Sequence, residues 1–119
     1  MSSSSRSARR TVRYLALIYV VPGQREALRR YERHVLPVFK RHGGAFERIW
    51  TPVVPDAAPD PEAPDEIHLL RFDREDGLEA ARRDPEMQAL AELRGRVVRK
   101  AVLVRVADVP LARYFADPA

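Results

Sequence analysis

The sequence predicts an α+β sandwich, a four-stranded antiparallel sheet with two helices on one of its faces. Three observations carry this expectation. Four segments rich in β-branched and aromatic residues alternate with two amphipathic segments in the order β-α-β-β-α-β. The two helical segments echo one another, "ALRRYERHVLPVF" against "AARRDPEMQALAEL", so the chain reads as two βαβ halves. A length of 119 residues suits a single hydrophobic core. Two such halves form the split βαβ, ferredoxin-like sandwich with strand order 4-1-3-2.

The first strand is "VRYLALIYVV", residues 12–21. Leu15, Leu17, Tyr19 and Val21 fall on one face, and Val12, Tyr14, Ala16, Ile18 and Val20 on the other. A strand with one solvated face alternates polar and apolar residues; this one is expected to be covered on both sides. Pro22-Gly23 ends it. Leu28, Tyr31, Val35, Val38, Phe39 and His42 then form one helical stripe over residues 24–42. Pro37 lies within that stripe and should kink or divide the helix. "HGG" at 42–44 is read as helix punctuation: a glycine of positive φ ends the helix, and its carbonyl end repels the anions that a phosphate loop would bind.

"AFERIWTPV" is the second strand. The Pro- and acid-rich stretch after it can hold neither a helix nor a central strand; the loop over residues 54–65 is read as a solvated excursion, with a lid or an arm over a partner as the alternative. "EIHLLRFD" is the third strand. "REDGLEAARRDPEMQALAELR" is a second helix in two pieces, with Asp84 capping and Pro85 in the first turn of the second piece. "RVVRKAVLVRVADV" is the fourth strand, with Val98, Val102, Val104 and Val106 assigned to one face. The organisation expected is a disordered basic arm at 1–11, one domain at 12–108 and a tail at 109–119. Two helices cover one face of a four-stranded sheet, so the apolar second face calls for another sheet, and a homodimer packed face to face supplies it.

Composition closes off several chemistries. The net charge is +4, but Arg6, Arg9, Arg10 and Arg13 account for all of it. The remaining body is neutral, which argues against a specific nucleic-acid surface. No apolar run approaches the roughly 20 residues of a membrane helix. There is no cysteine, which suits a reducing cytoplasm. Serines occur only within residues 2–7 and asparagine is absent, so a Ser-His-Asp hydrolase is unavailable. The five glycines form neither a dinucleotide nor a phosphate fingerprint. His34, His42 and His68 lack metal-ligand spacing; no metal and no cofactor is expected, although an assembled histidine/carboxylate site stays open.

Acid–base and aromatic chemistry remains. His68 lies in the third strand, central in the expected order, and there it can accept a proton from an activated carbon or phenol. The competing reading is a hydrogen-bonded core histidine. Tyr14 and Tyr19 sit on opposite faces of the first strand, and either can donate to a carbonyl or enolate; both can equally be core residues. Arg71, three residues after His68, faces the other way and can bind a carboxylate or cross a dimer interface, the latter being favoured. Trp50 can stack on a ligand or anchor a core or interface. Tyr31 and His34 share part of a helix face and can line a cleft.

"LPVFKRHGGAF", "EIHLLRF" and "DPEMQALAELR" resemble the NIPSNAP-like branch of the dimeric α/β-barrel superfamily, which also holds antibiotic-biosynthesis monooxygenases and EthD-like proteins. The resemblance covers about residues 12–107. It implies a homodimeric barrel with a ligand-sized cleft between sheet and helices, and activities that include cofactor-free oxygenation, cyclisation and isomerisation. The expectation is a small enzyme of secondary metabolism that moves a proton on a carbonyl-bearing or aromatic metabolite. The alternative is a non-catalytic dimeric ligand-binding or structural protein. A cavity of roughly 300 Å³ or more, reached by His68 and a tyrosine, would favour the enzyme.

Overall fold

The computed structural model describes residues 10–53 and 62–118. Its elements are β1 (Val12–Val20), α1 (Arg25–Arg41), β2 (Gly44–Trp50), β3 (Glu66–Phe72), α2 (Gly77–Arg83), α3 (Pro85–Ala89), α4 (Ala91–Val97), β4 (Val98–Val106) and α5 (Leu111–Tyr114). The strands form one antiparallel sheet in the order β2-β3-β1-β4, the expected order read from the opposite edge. Helices cover a single face, so β1 and β3 are central and their helix-side residues are the most deeply buried of the sheet.

Residues 25–41 make one unbroken helix despite Pro37. The proline is exposed, on the side where water can reach the carbonyl whose partner it lacks. The second helix is in three pieces rather than two. Its first break is the expected one: the Asp84 side chain accepts from the Glu86 backbone N–H, and Pro85 occupies the first turn of α3. A further break at Leu90 separates α3 from α4.

The core lies between α1, α2 and the central strands, around a fully buried Phe72. Phe39 packs edge-on against it at 5.2 Å and stacks on Phe46 at 5.4 Å. The HGG run makes room for this ring. Gly43, at φ +76°, ends α1; a Cβ on Gly44 would lie 2.4 Å from the Phe72 ring. His42 does more than cap: its Nε2 lies 2.9 Å from Asp84 Oδ2, tying the end of α1 to the start of α3.

The face turned away from the helices carries Leu15, Leu17, Ile67, Leu69, Val102 and Val104, and no described element covers it. Val98 departs from the expected face. A register shift at Tyr19/Val20 pairs Val98 with Val20 on the helix side, where it packs near Leu28 and Val97. In the tail, Tyr114 and Phe115 pack edge-on against each other and stay 68% and 76% exposed, so within the described chain they dock on nothing else. The N-terminal arm up to residue 9, and residues 54–61 of the long loop, lie outside the described residues.

Candidate functional site

β3 alternates strictly, with Glu66, His68, Leu70 and Phe72 pointing under the helices and Ile67, Leu69 and Arg71 away from them. Period-two alternation therefore puts a carboxylate and an imidazole side by side on the buried face, two residues apart. His68 Nε2 lies 2.7 Å from Glu66 Oε1 and 3.1 Å from Glu32 Oε2 of α1. Glu66 and His68 are both nearly fully buried. Glu32 reaches this point because it falls one turn after Leu28 and one turn before Val35, on the buried stripe of α1. Phe46 on β2 closes the imidazole's flank, edge-on at 5.4 Å.

One N–H now faces two carboxylates, the buried Glu66 and the half-buried Glu32. Desolvation alone would lower the His68 pKa, but the hydrogen bonds and charges of Glu32 and Glu66 outweigh it and raise the value to about 9. The two acids are driven apart. Burial, with the adjacent Glu66 charge, raises Glu32 against the pull of His68; the bond from His68 holds Glu66 below the ordinary range against its own burial. At neutral pH the triad thus holds an imidazolium donating to the Glu66 carboxylate. Glu32 is the group displaced toward neutrality, and its buried Oε2 accepts no directed hydrogen bond. The site presents a proton donor at His68, where the sequence reading expected an acceptor.

Above the triad is a cleft of about 100 Å³, lined by Ala16, Leu28, Tyr31, Glu32, His68 and Arg94 among others. Tyr31 and Arg94 stand beside each other. Burial raises the Tyr31 hydroxyl's pKa and the Arg94 charge opposes the rise. The volume lies below the 300 Å³ mark, yet the cleft is reached by both His68 and a tyrosine, and the histidine's partners are carboxylates rather than backbone.

The structure brings together two of the seven residues singled out from the sequence, His68 and Tyr31. His34 is exposed on the outer side of α1. Tyr14 is on the helix side but packs edge-on against Phe72, away from the cleft. Tyr19, Trp50 and Arg71 belong to the open face. Tyr19 donates to the Glu62 carbonyl and is approached by Arg99 and Lys100; Trp50 is 45% exposed; Arg71 has a buried Nε with no hydrogen-bond partner. Glu32, Glu66 and Arg94 were missed. For Glu32 and Glu66 the signal was present in the spacing, a carboxylate on an apolar helical stripe and another at i−2 from a buried strand histidine.

Strand order and the single helical layer match a known fold. The chain has the ferredoxin-like fold. No family profile matches it, and no curated protein is similar in sequence. Among solved structures, a Rhodopseudomonas palustris protein of unknown function superposes with a TM-score of 0.71 at 20% identity, over 90% of this chain and 88% of that one. A candidate antibiotic-biosynthesis monooxygenase from B. thetaiotaomicron VPI-5482 superposes at 0.62 and 15% identity, covering 85% and 91% of the two chains. A dimeric ferredoxin-like protein of unknown function from Thermobifida fusca does so at 0.53 and 17%, covering 82% and 90%. These likenesses concern the ferredoxin-like fold. Among the described residues no helix is long and apolar enough to cross a membrane.

Proposed function

We propose that the chain is a small, cofactor-independent enzyme of the monooxygenase, cyclase or isomerase type that moves a proton on a carbonyl-bearing or aromatic metabolite. The observation that carries this reading is the buried His68 held between Glu32 and Glu66 at the floor of a cleft. Two carboxyl groups whose pKa values are pushed apart around one imidazolium supply an acid and a base in one place. A substrate C–H proton passes to Glu32 in its ionised form, whose raised pKa makes it the stronger base of the two acids. The electron pair moves onto the carbonyl oxygen, and the positive charges of His68 and Arg94 stabilise the oxyanion. The small volume admits a reacting head group, with the rest of the metabolite at the mouth.

The NIPSNAP-like branch, a cytoplasmic location and a place in secondary metabolism belong to the same proposal, supported by the three segments quoted above and the absence of cysteine. So does homodimerisation, supported by the uncovered apolar sheet face and by a dimeric structural neighbour. One observation favours a second reading. At about 100 Å³ the cleft is small for a substrate, as in a non-catalytic ligand-binding or structural dimer.

The test is proton exchange at the α-carbon of small ketones and β-dicarbonyl compounds in D2O, followed by NMR. Exchange by the wild type that His68→Ala abolishes, with unchanged sedimentation, supports the enzyme. Exchange unaffected by His68→Ala removes the histidine's role, and no exchange at all leaves the non-catalytic reading standing.

A further inference from the structure

We propose that the ligand of the His68 cleft carries a carboxylate, which the Arg94 guanidinium binds at the mouth beside the Tyr31 hydroxyl. The proposal rests on the reading that this cleft receives a small molecule, and names the chemical class of that molecule.

The first argument is the state of Arg94 itself. On its own helix Arg96 is paired with Glu92 at 3.3 Å. Arg94 is on the same helix as Glu92 and Arg96, yet among the described residues no carboxylate lies within ion-pair distance of it. It turns instead to the cleft, where its charge acts on Tyr31. A planar guanidinium with free donors at a cleft mouth suits a planar carboxylate, which it can bind through two parallel N–H bonds.

The second argument is the charge of the whole cleft. His68 and Arg94 are cationic and Glu66 is anionic, while burial and the Glu66 charge press Glu32 toward its neutral form. Both acids of the cleft are directed at His68, at 2.7 and 3.1 Å, so the Arg94 charge at the mouth is left for a ligand to balance. One monoanionic ligand balances it. A neutral ligand leaves the excess in place, and a cation adds to it. In the larger basic hollow near Arg10, Arg13, Arg48 and Arg105, two of the four arginines are already bound, Arg13 by Glu47 and Arg105 by Glu75.

The experiment is calorimetric titration of the full chain with 2-oxobutanoate and benzoate, and with 2-oxobutanamide and benzamide as neutral isosteres. Both acids are expected to bind more tightly than their amides. Arg94→Gln is expected to weaken the acids by about tenfold or more, the size of a lost charge-assisted hydrogen bond, while leaving the amides unchanged. Arg94→Lys recovers part of the loss, and Arg48→Gln on the open face changes nothing. Arg94 is exposed on its helix and glutamine is a comparable helix former, so the variant's melting temperature should match the wild type. Amides binding as well as acids, Arg94→Gln binding acids like the wild type, or no binding of either acid at millimolar concentration overturns the proposal. Arg94-dependent acid binding without any proton exchange leaves it standing and removes the catalytic reading alone.

Discussion

Replacing Glu32 and Glu66 together by glutamine conserves volume while removing both charges that hold the His68 proton. In the wild type the imidazole's pKa is about 9 in the fold against 6.5 as its reference value. A group raised by folding stabilises the native state fully below its unfolded value, and that contribution disappears as pH rises through the folded value. The gap corresponds to at most about 3.4 kcal/mol, and solvent at the cleft mouth reduces this to about 2 kcal/mol. The wild type should therefore lose about 2 kcal/mol of unfolding free energy between pH 6.5 and pH 9.5, roughly. In the double variant only desolvation acts on the histidine, which lowers its pKa, so no imidazole proton is left to lose over that range. Urea unfolding of both proteins at a series of pH values, with the difference plotted, isolates the triad because tyrosine and lysine titrations are common to both. A difference curve flat across that range would refute the ion-pair reading and, with it, the imidazolium at the cleft floor.

Two further perturbations probe the packing that positions the site. Gly44→Ala places a methyl group 2.4 Å from the Phe72 ring; repacking the fully buried ring should cost about 1–3 kcal/mol, read from the urea midpoint, and an unchanged midpoint would show that the ring has room to move. Leu17→Arg puts a charge in the middle of the open sheet face without touching the helix side; it should convert a sedimenting dimer to monomer while leaving the far-UV circular dichroism intact, and a variant that stays dimeric would place the interface elsewhere.

The architecture was legible because the features that fix it are local and periodic. The Leu28–Val35–Phe39 stripe, the two-sided apolar β1 and the Pro-Gly and Gly-Gly breaks each act over a few residues, and their order admits few topologies. Asp84 and Pro85 could be placed within the second helix for the same reason, since a cap and a first-turn proline state their positions outright. The extra break at Leu90 had no such marker. Nor did the register shift at Tyr19/Val20, which moves Val98 to the helix side; a strand pattern records alternation but not where a partner strand slips.

The site was legible only in part, for a reason that lies in how charge is buried. His68 stood out because a histidine in an apolar strand is conspicuous. Its partners did not, because Glu32 sits among five arginines and another glutamate in "REALRRYERHVLPVFKR", and Glu66 follows an acidic loop, so both looked solvated. A buried imidazole next to apolar walls alone would be neutral and would favour proton acceptance. Two carboxylates reverse that outcome, and they come from different elements, α1 and β3, whose meeting depends on the sheet order. Once β3 is central and α1 crosses above it, Glu32 at the Leu28–Val35 stripe and Glu66 two residues from His68 direct an oxygen each toward the same nitrogen. The sign of the histidine's chemistry is thus a tertiary property, set by a helix that joins the strand only in the folded chain.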